Sequence, residues 1–132
     1  MRVLKTRWFA RWARRQGLTD TVLRSAVDEM RRGLVDAVLG GGLVKKRIAR
    51  PGGGKSGGYR TLLAADFRER WVYLFGFAKS ERENIDEKNM RDLRQLARTY
   101  SSMSEAAARR LIGAGVLMEV SDGEPETSQG DS

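Results

Sequence analysis

The side chains with the clearest chemical potential are cations within a β-forming stretch, Leu43–Arg82. They stand along and just beyond short segments rich in β-branched and aromatic residues. Cations repeated on a small sheet are typical of a surface that meets a polyanion, and we expect helices to cover the sheet's other face. The candidate contacts in this stretch are Lys45, Lys46, Arg47, Lys55, Arg60, Lys79 and Arg82.

The chain contains no histidine and no cysteine among its 132 residues. Without histidine it lacks the commonest general base and the commonest metal ligand. Without cysteine it can form neither a disulfide nor a thiolate zinc site. We therefore expect no metal and no other cofactor, and any catalysis has to use Lys, Arg, Tyr, Asp or Glu.

Charge is distributed unevenly along the chain. The formal net charge is +8, yet residues 121–132 carry four acids and no base, which leaves +12 on residues 1–120. This imbalance predicts attraction to nucleic acid or to an acidic protein, although a solvated basic surface would give the same composition.

Size and hydropathy predict one domain over residues 1–120, followed by an acidic disordered tail over residues 121–132. No apolar run approaches the length that spans a membrane, and the first residues do not have the apolar centre of a signal peptide. We therefore expect a soluble cytoplasmic protein without a membrane partner.

The glycine-rich segment Gly54-Lys55-Ser56 invites comparison with a nucleotide-binding phosphate loop. That loop requires a glycine five residues before Gly54, where this chain has Ala49. It must also open a helix, whereas Ser56 leads into β-forming residues. We interpret the segment as a flexible connection between strands, with Lys55 as a candidate phosphate contact.

Caps and apolar periodicity predict helices on both sides of the β-forming stretch. Trp8 and Trp12 fall in the apolar stripe of the first helix, which favours core positions over stacking on bases. The predicted helices span residues 6–17, 19–33, 84–100 and 104–113, with Thr6, Thr19 and Ser104 as caps. A short strand is predicted at 2–5, and residues 116–120 are interpreted as a last strand or a partner-binding segment.

Period-two alternation predicts which side chains share a face of each strand. Lys45 and Arg47 fall on one face of the first strand and Lys46 on the other. The strand Arg70–Ala78 is apolar on both faces, which predicts a central position in the sheet. One predicted face carries Trp71, Tyr73, Phe75 and Phe77, and the other carries Val72, Leu74, Gly76 and Ala78.

The segments 55–63 and 76–85, with an aromatic strand between them, resemble the RelE/ParE superfamily of bacterial toxins, especially its longer RelE/HigB-like branch. The resemblance covers residues 1–120, including the opening Lys-Thr-Arg-Trp-Phe at residues 5–9. It implies an α+β fold in which two N-terminal helices pack on a small, twisted, mostly antiparallel sheet with C-terminal helices. It also implies a type II toxin–antitoxin system with a cognate antitoxin as partner.

RNA-cleaving relatives cut messenger RNA in the ribosomal A site, which would make messenger RNA and the ribosome further partners. The ribose 2′-hydroxyl attacks the adjacent phosphorus, and the protein has to neutralise the charge that develops there. The resemblance assigns Arg60 to the scissile phosphate, with pairing to Glu69 as its structural alternative. It assigns Lys79 and Arg82 to a basic cluster, and the further candidate RNA contacts are Lys45, Lys46, Arg47 and Lys55.

The proton-transfer residues are less well defined. Where the best-known RNA-cleaving relatives have an arginine and then a tyrosine or histidine, this chain has Ser80 and Asp86. Asp86 could accept the 2′-hydroxyl proton if its pKa were raised, or it could simply cap a helix. Tyr59 and Tyr73 are further candidates, and the strand alternation predicts that both are at least partly packed.

Three functional hypotheses follow. The leading one is an mRNA interferase, an endoribonuclease that inhibits translation and is neutralised by its antitoxin. The second is a non-nucleolytic ParE-like toxin that inhibits DNA gyrase, because both activities occur on this fold. The third is a basic module that binds RNA or DNA without catalysis.

Overall fold

The computed structural model describes residues 2–50, 57–66, 70–81 and 85–121, and these ranges contain four helices and six strands. None of the helices in these ranges is long and apolar enough to cross a membrane. Residues 122–132 of the predicted acidic tail lie outside the described ranges. The elements in chain order are β1 (Arg2–Thr6), α1 (Arg7–Gln16), α2 (Asp20–Arg31), β2 (Ala37–Gly40), β3 (Leu43–Ile48), β4 (Tyr59–Asp66), β5 (Arg70–Ala78), α3 (Glu87–Ser102), α4 (Glu105–Gly113) and β6 (Leu117–Glu119).

The predicted N-terminal helix pair is confirmed, together with its caps. The Thr6 hydroxyl accepts a hydrogen bond from the Phe9 N–H at 3.1 Å, which satisfies one of the free amides at the start of α1. Gly17 closes α1 in the left-handed conformation with φ of 76°, which favours glycine. Thr19 caps α2 in the same way, accepting from the Val22 N–H at 3.2 Å.

The strands form a single sheet in the order β2-β3-β4-β5-β1-β6. β1 pairs in parallel with β5, and every other neighbouring pair is antiparallel. The predicted α+β class and the mostly antiparallel sheet are therefore confirmed. The predicted β-forming stretch, Leu43–Arg82, misses one strand, because β2 (Ala37–Gly40) lies before Leu43 and pairs with β3. Its four residues alternate between half-buried and exposed, which leaves little apolar signal to detect.

Helices lie against both faces of the sheet. Phe9 and Trp12 of α1 and Leu23 of α2 belong to one apolar core with Leu63, Trp71 and other residues of the sheet. A second core joins Leu4, Leu62 and Val72 of the sheet to Ala97 and Tyr100 of α3. The prediction that helices cover the face opposite the cations is therefore confirmed for α1 and α2, and α3 covers part of the second face as well. The reason is that Leu62 and Ala64 of β4 are apolar on that face and have to be buried.

Arginine side chains tie α3 to the sheet. The Arg70 guanidinium donates to the carbonyl oxygens of Tyr100 and Met103, at 3.0 and 2.8 Å. Nearer the middle of α3, Arg94 Nε donates to the carbonyl oxygen of Leu39 in β2 at 2.6 Å. These bonds attach α3 to β2 and β5, so that the helix covers the second core.

A β-bulge in β5 changes which aromatic side chains share a face. Leu62 and Leu63 are consecutive in β4, but they pair with Phe75 and Tyr73, so Leu74 is the extra residue in β5. Trp71 and Tyr73 share one face, as predicted, and this face is covered by α1 and α2. Phe75 lies on the α3 face, in contact with the second core, and Phe77 is paired with Arg60. The prediction that all four aromatic side chains share one face is wrong because strict alternation fails at a bulge.

The bulge also turns Gly76 toward α1, where Trp12 packs directly on its backbone. A Cβ added at Gly76 would lie 2.3 Å from Cζ3 of the Trp12 ring, closer than atoms can approach. We expect Gly76→Ala to lower the free energy of unfolding by about 1–3 kcal/mol, since the buried indole has to move.

Chemical denaturation of this variant beside Gly113→Ala provides the test. Gly113 is the last residue of α4, and a Cβ there would meet no atom within 4 Å. The Gly113 variant should be as stable as the parent or slightly more so. Equal stability of Gly76→Ala and the parent would contradict the close packing of Trp12.

Candidate functional site

Three cations converge on the face of the sheet that α3 covers only in part. Arg47 of β3 and Arg60 of β4 are directly opposite each other across the antiparallel pair. Lys45 is opposite Leu62, which makes it a diagonal neighbour of Arg60 on the same face. Direct and diagonal neighbours in such a ladder have side chains about 5 and 7–8 Å apart. The predicted shared face of Lys45 and Arg47 is confirmed, and the structure brings Arg60 to it.

Within the described ranges no side chain of this cluster has an ion-pair partner, although the Arg47 backbone N–H donates to Oδ2 of Asp36 at 2.7 Å. Lys45, Arg47 and Arg60 form no ion pair with any described carboxylate, whereas Arg2, Lys5, Lys46 and Arg70 each do. Like charges directly opposite each other on a sheet repel. The cluster therefore has unused capacity for an anion, and a phosphate oxygen meets that requirement.

Arg60 is half-buried, and the loop before β4 helps to orient it. Its guanidinium donates to the carbonyl oxygen of Gly57 at 3.3 Å. An arginine has five N–H donors, so this single bond leaves most of the fork for a ligand. On its other side Arg60 is paired in register with Phe77 of β5. Glu69, its predicted alternative partner, lies outside the described residues.

Lys79 extends the cationic region beyond the end of β5. Its backbone N–H donates to the carbonyl oxygen of Gly58 at 3.1 Å, which continues the pairing of β4 with β5. Lys79 therefore lies two residues after Phe77, the partner of Arg60. The side chain is exposed. The other two candidate contacts outside β3 and β4, Lys55 and Arg82, lie outside the described residues.

Lys46 does not join the cluster. It points to the opposite face of β3, where its ammonium group pairs with Glu29 of α2 at 2.8 Å and donates to the carbonyl oxygen of Leu34 at 3.0 Å. Only 8% of the residue is exposed. This geometry corrects the grouping of Lys46 with the phosphate contacts: the period of two that aligns Lys45 with Arg47 turns Lys46 toward the helices.

Asp86 has a structural role that accounts for both carboxylate oxygens. It is the N-cap of α3, where Oδ1 accepts from the Asn89 N–H at 2.9 Å and Oδ2 accepts from the Asn89 side-chain amide at 3.3 Å. The residue is exposed. Of the two interpretations that the sequence permits, helix capping is the one the geometry supports, and α3 begins at Glu87 rather than at the predicted residue 84.

The two tyrosines considered as proton acceptors are buried on the face opposite Arg60. Tyr73 is fully buried and donates its hydroxyl hydrogen to the carbonyl oxygen of Leu23 at 2.7 Å. Burial, with a smaller contribution from the charge of Glu29, raises the pKa of Tyr73. Tyr59 is packed beneath the Arg50 guanidinium, which lies 5.3 Å from its ring centroid. Neither ring faces a phosphate bound at Arg60.

Sequence reasoning missed a row of aromatic rings beside the cations. Trp8 stacks on Phe75 with centroids 4.6 Å apart, and Phe75 lies 6.2 Å from Phe77, the partner of Arg60. A cavity of about 120 Å³ adjoins Phe77 and Lys45. The bulge at Leu74 creates this arrangement, and β5 carries no glycine or proline before that point to signal it.

The arrangement can hold a phosphate chain between cations with aromatic surface nearby. Within the described ranges, no group of acidic side chains is placed to hold a metal ion.

The sequence model of the RelE toxin, from the RelE/RelB toxin–antitoxin system, matches residues 1–120, a span that contains all ten elements. A comparison with curated individual proteins gave no match. The match is to the family as a whole, and the HigB-like branch stays a prediction.

Lys46 and Arg47 are adjacent in β3 but face opposite sides, so they form a matched pair for mutation. We expect Lys46→Ala to lower the free energy of unfolding by about 1–2 kcal/mol, because it removes a packed side chain and its hydrogen bond to Leu34. Arg47→Ala should change stability by less than about 0.5 kcal/mol, since it removes a charge opposite Arg60.

Binding of a single-stranded oligonucleotide, measured at several salt concentrations, should give the reverse order. Arg47→Ala should weaken binding and reduce the salt slope by about 0.7, the value for one phosphate contact. Lys46→Ala should leave both unchanged in the folded protein. A smaller salt slope for the Lys46 variant alone would contradict the assignment of faces.

Proposed function

Because the chain belongs to the RelE toxin family and is thus the toxin of a toxin–antitoxin system, we propose that it inhibits growth by cleaving messenger RNA. In this proposal Arg60 binds the scissile phosphate, and Arg47, Lys45 and Lys79 bind the RNA backbone around it. The observation that carries the proposal is the direct pairing of Arg47 with Arg60, neither of whose guanidinium groups forms an ion pair with a described acid.

The side-chain type supports the assignment of Arg60. A guanidinium stays charged at every physiological pH and binds two phosphate oxygens at once. It can therefore stabilise the negative charge that develops on those oxygens during the reaction. Arg60 is held by one bond to Gly57 and by the strand pairs on both sides, so little reorganisation is needed during the reaction. Arg82 would join the same cluster in this proposal.

The proposed reaction needs no cofactor. The ribose 2′-oxygen forms a bond to the adjacent phosphorus, and the bond from phosphorus to the 5′-oxygen breaks. A base takes the 2′-hydroxyl proton, and an acid supplies a proton to the departing 5′-oxygen. The products are a 2′,3′-cyclic phosphate and a 5′-hydroxyl, and the chain's part is to hold the RNA in line and stabilise the charged phosphorane.

The described residues favour dependence on the ribosome for proton transfer. Asp86 uses its carboxylate as a helix cap, and Tyr59 and Tyr73 are buried on the other face. In our proposal the A site of the ribosome supplies the base and orients the codon, while the toxin supplies the cations. The structural roles of these three described candidates also favour the second candidate function, inhibition of gyrase by binding alone.

The family also implies an antitoxin partner. We propose that an acidic segment of the antitoxin covers the Arg47–Arg60 region and quenches activity. The +12 charge of residues 1–120 supports this direction of complementarity.

Mapping of transcript 5′ ends after induced expression tests the proposed activity. The parent should generate new 5′ ends within coding regions, and Arg60→Ala should reduce cleavage in a translating extract by roughly 100-fold or more, the effect of losing one transition-state donor. Arg31→Ala is the matched control because Arg31 is an exposed arginine on α2, on the other side of the sheet. It should cleave as the parent does.

The same experiment distinguishes the alternatives. Full cleavage and full growth inhibition by Arg60→Ala would eliminate the assignment of Arg60. Intact transcripts together with DNA breaks or inhibited supercoiling would select gyrase as the target. Cleavage of purified RNA at the rate seen in the extract would contradict ribosome dependence.

A further inference from the structure

A groove on the α3 side of the sheet is lined by several of the exposed apolar side chains of the described residues. Among the described residues, the exposed large apolar side chains are Trp8, Leu34, Val38, Leu96 and Val116. Three of these, Trp8, Leu96 and Val116, line one groove of about 410 Å³, and Leu74 and Tyr100 line it as well. We call it the Trp8 groove. Clustering of exposed apolar side chains in one concave surface indicates an interaction site.

The groove is connected to the cationic site through the aromatic row. Trp8, which borders the groove, stacks on Phe75, and Phe75 contacts Phe77, which is opposite Arg60. A ligand held in the groove would therefore need to extend by only a few residues along this row to cover Arg60.

The lining of the groove favours apolar side chains over nucleobases. Two of its polar side chains already have partners: the Thr6 hydroxyl accepts from the Phe9 N–H, and Arg7 donates from Nε and Nη2 to the Gly115 carbonyl oxygen. The Tyr100 hydroxyl is a further polar group of the lining. Leu74, Leu96 and Val116 supply aliphatic surface without donors or acceptors for the edge of a base. A protein segment with clustered apolar side chains fits this chemistry better than RNA does.

The charges around the groove indicate which protein would fit. Arg7 lines it, and Arg11, one turn further along α1, is exposed and forms no ion pair with a described residue. On α3, Asp92 is exposed one turn before Leu96. A complementary segment would carry acids toward α1 and the Arg60 site, with apolar side chains between them.

We propose that the Trp8 groove is the docking site for an apolar anchor of the antitoxin, and that this anchor positions an adjoining acidic segment over Arg60. The proposal rests on membership of the toxin family, which requires an antitoxin, and it does not depend on RNA cleavage. In this proposal, contacts in the groove supply most of the free energy of antitoxin binding. The acidic segment blocks the cationic site. Hot spots of protein interfaces are commonly buried apolar or aromatic anchors of this kind.

Variants with a carboxylate in the groove test the proposal. We expect Leu96→Asp and Val116→Asp to weaken binding of the purified antitoxin encoded beside the toxin gene by on the order of 30-fold, a typical hot-spot loss. Val38→Asp is the matched control, because Val38 is 76% exposed but lies on β2 at the far edge of the sheet. It should bind within about threefold of the parent. Circular dichroism melts of all three variants confirm that they are folded.

Tryptophan fluorescence gives an independent measurement that needs no mutation. Trp8 is 40% exposed, whereas Trp12 and Trp71 are buried, so quenching by acrylamide reports mainly on Trp8. Addition of the antitoxin should shift the emission to shorter wavelength and suppress the quenching. Unchanged quenching in a stable toxin–antitoxin complex would overturn the proposal.

The RNA alternative has its own signature. If a single-stranded RNA protects Trp8 from quenching, and the groove variants lose RNA binding while they keep the antitoxin affinity of the parent, the groove is an RNA surface and the proposal is wrong.

If the proposal is right, the groove variants keep the parent's activity in the absence of antitoxin and resist neutralisation on co-expression. Failure of RNA cleavage itself would appear instead in the transcript mapping, where the parent would give no new 5′ ends.

Discussion

One extra residue in β5 decides how the faces of this sheet are used. Before Leu74, the large aromatic rings of the strand, Trp71 and Tyr73, are buried under α1 and α2. After it, Phe75 and Phe77 lie on the face that carries Arg60, and Gly76 turns toward Trp12. Without the bulge, the Trp12 ring would meet a phenylalanine rather than a glycine backbone. The packing of α1 and the composition of the cationic face therefore depend on the same local irregularity.

The sheet keeps cations in an arrangement that they would not adopt unaided. Arg47 and Arg60 repel each other across β3 and β4, yet the ladder of backbone hydrogen bonds and the apolar cores on both faces hold their backbones in register. The adjacent Lys46 shows the contrasting solution, since it is paired with Glu29 and contributes to the contact between α2 and β3. The charge on one face of β3 is paired within the protein, whereas the side chains of Lys45 and Arg47 on the other face form no ion pair with a described residue. Such local conflict with stability is expected at a functional site.

The Arg47–Arg60 region and the Trp8 groove differ in chemistry, and the aromatic rings of Phe75 and Phe77 connect them. The Arg47–Arg60 region has charge but little enclosed apolar surface, which suits a phosphate chain. The Trp8 groove has mainly apolar surface, and its Thr6 and Arg7 side chains already form hydrogen bonds, which suits protein side chains. In the proposals made above, the first surface binds the target and the second binds the antitoxin. Because Phe75 and Phe77 connect the two surfaces, binding of one partner would then exclude the other.

The sequence by itself determined the helix caps at Thr6, Thr19 and Ser104, the strand over Arg70–Ala78, the shared face of Lys45 and Arg47, and the family. These depend on local rules: a hydroxyl that caps the next turn, and side chains that alternate along an extended chain. Tertiary structure alone decided the pairing of Arg47 with Arg60, the reversal of faces at Leu74, the strand β2 and the clustering of Trp8, Leu96 and Val116. Each of these depends on register or packing between segments distant in the chain, which local periodicity does not contain.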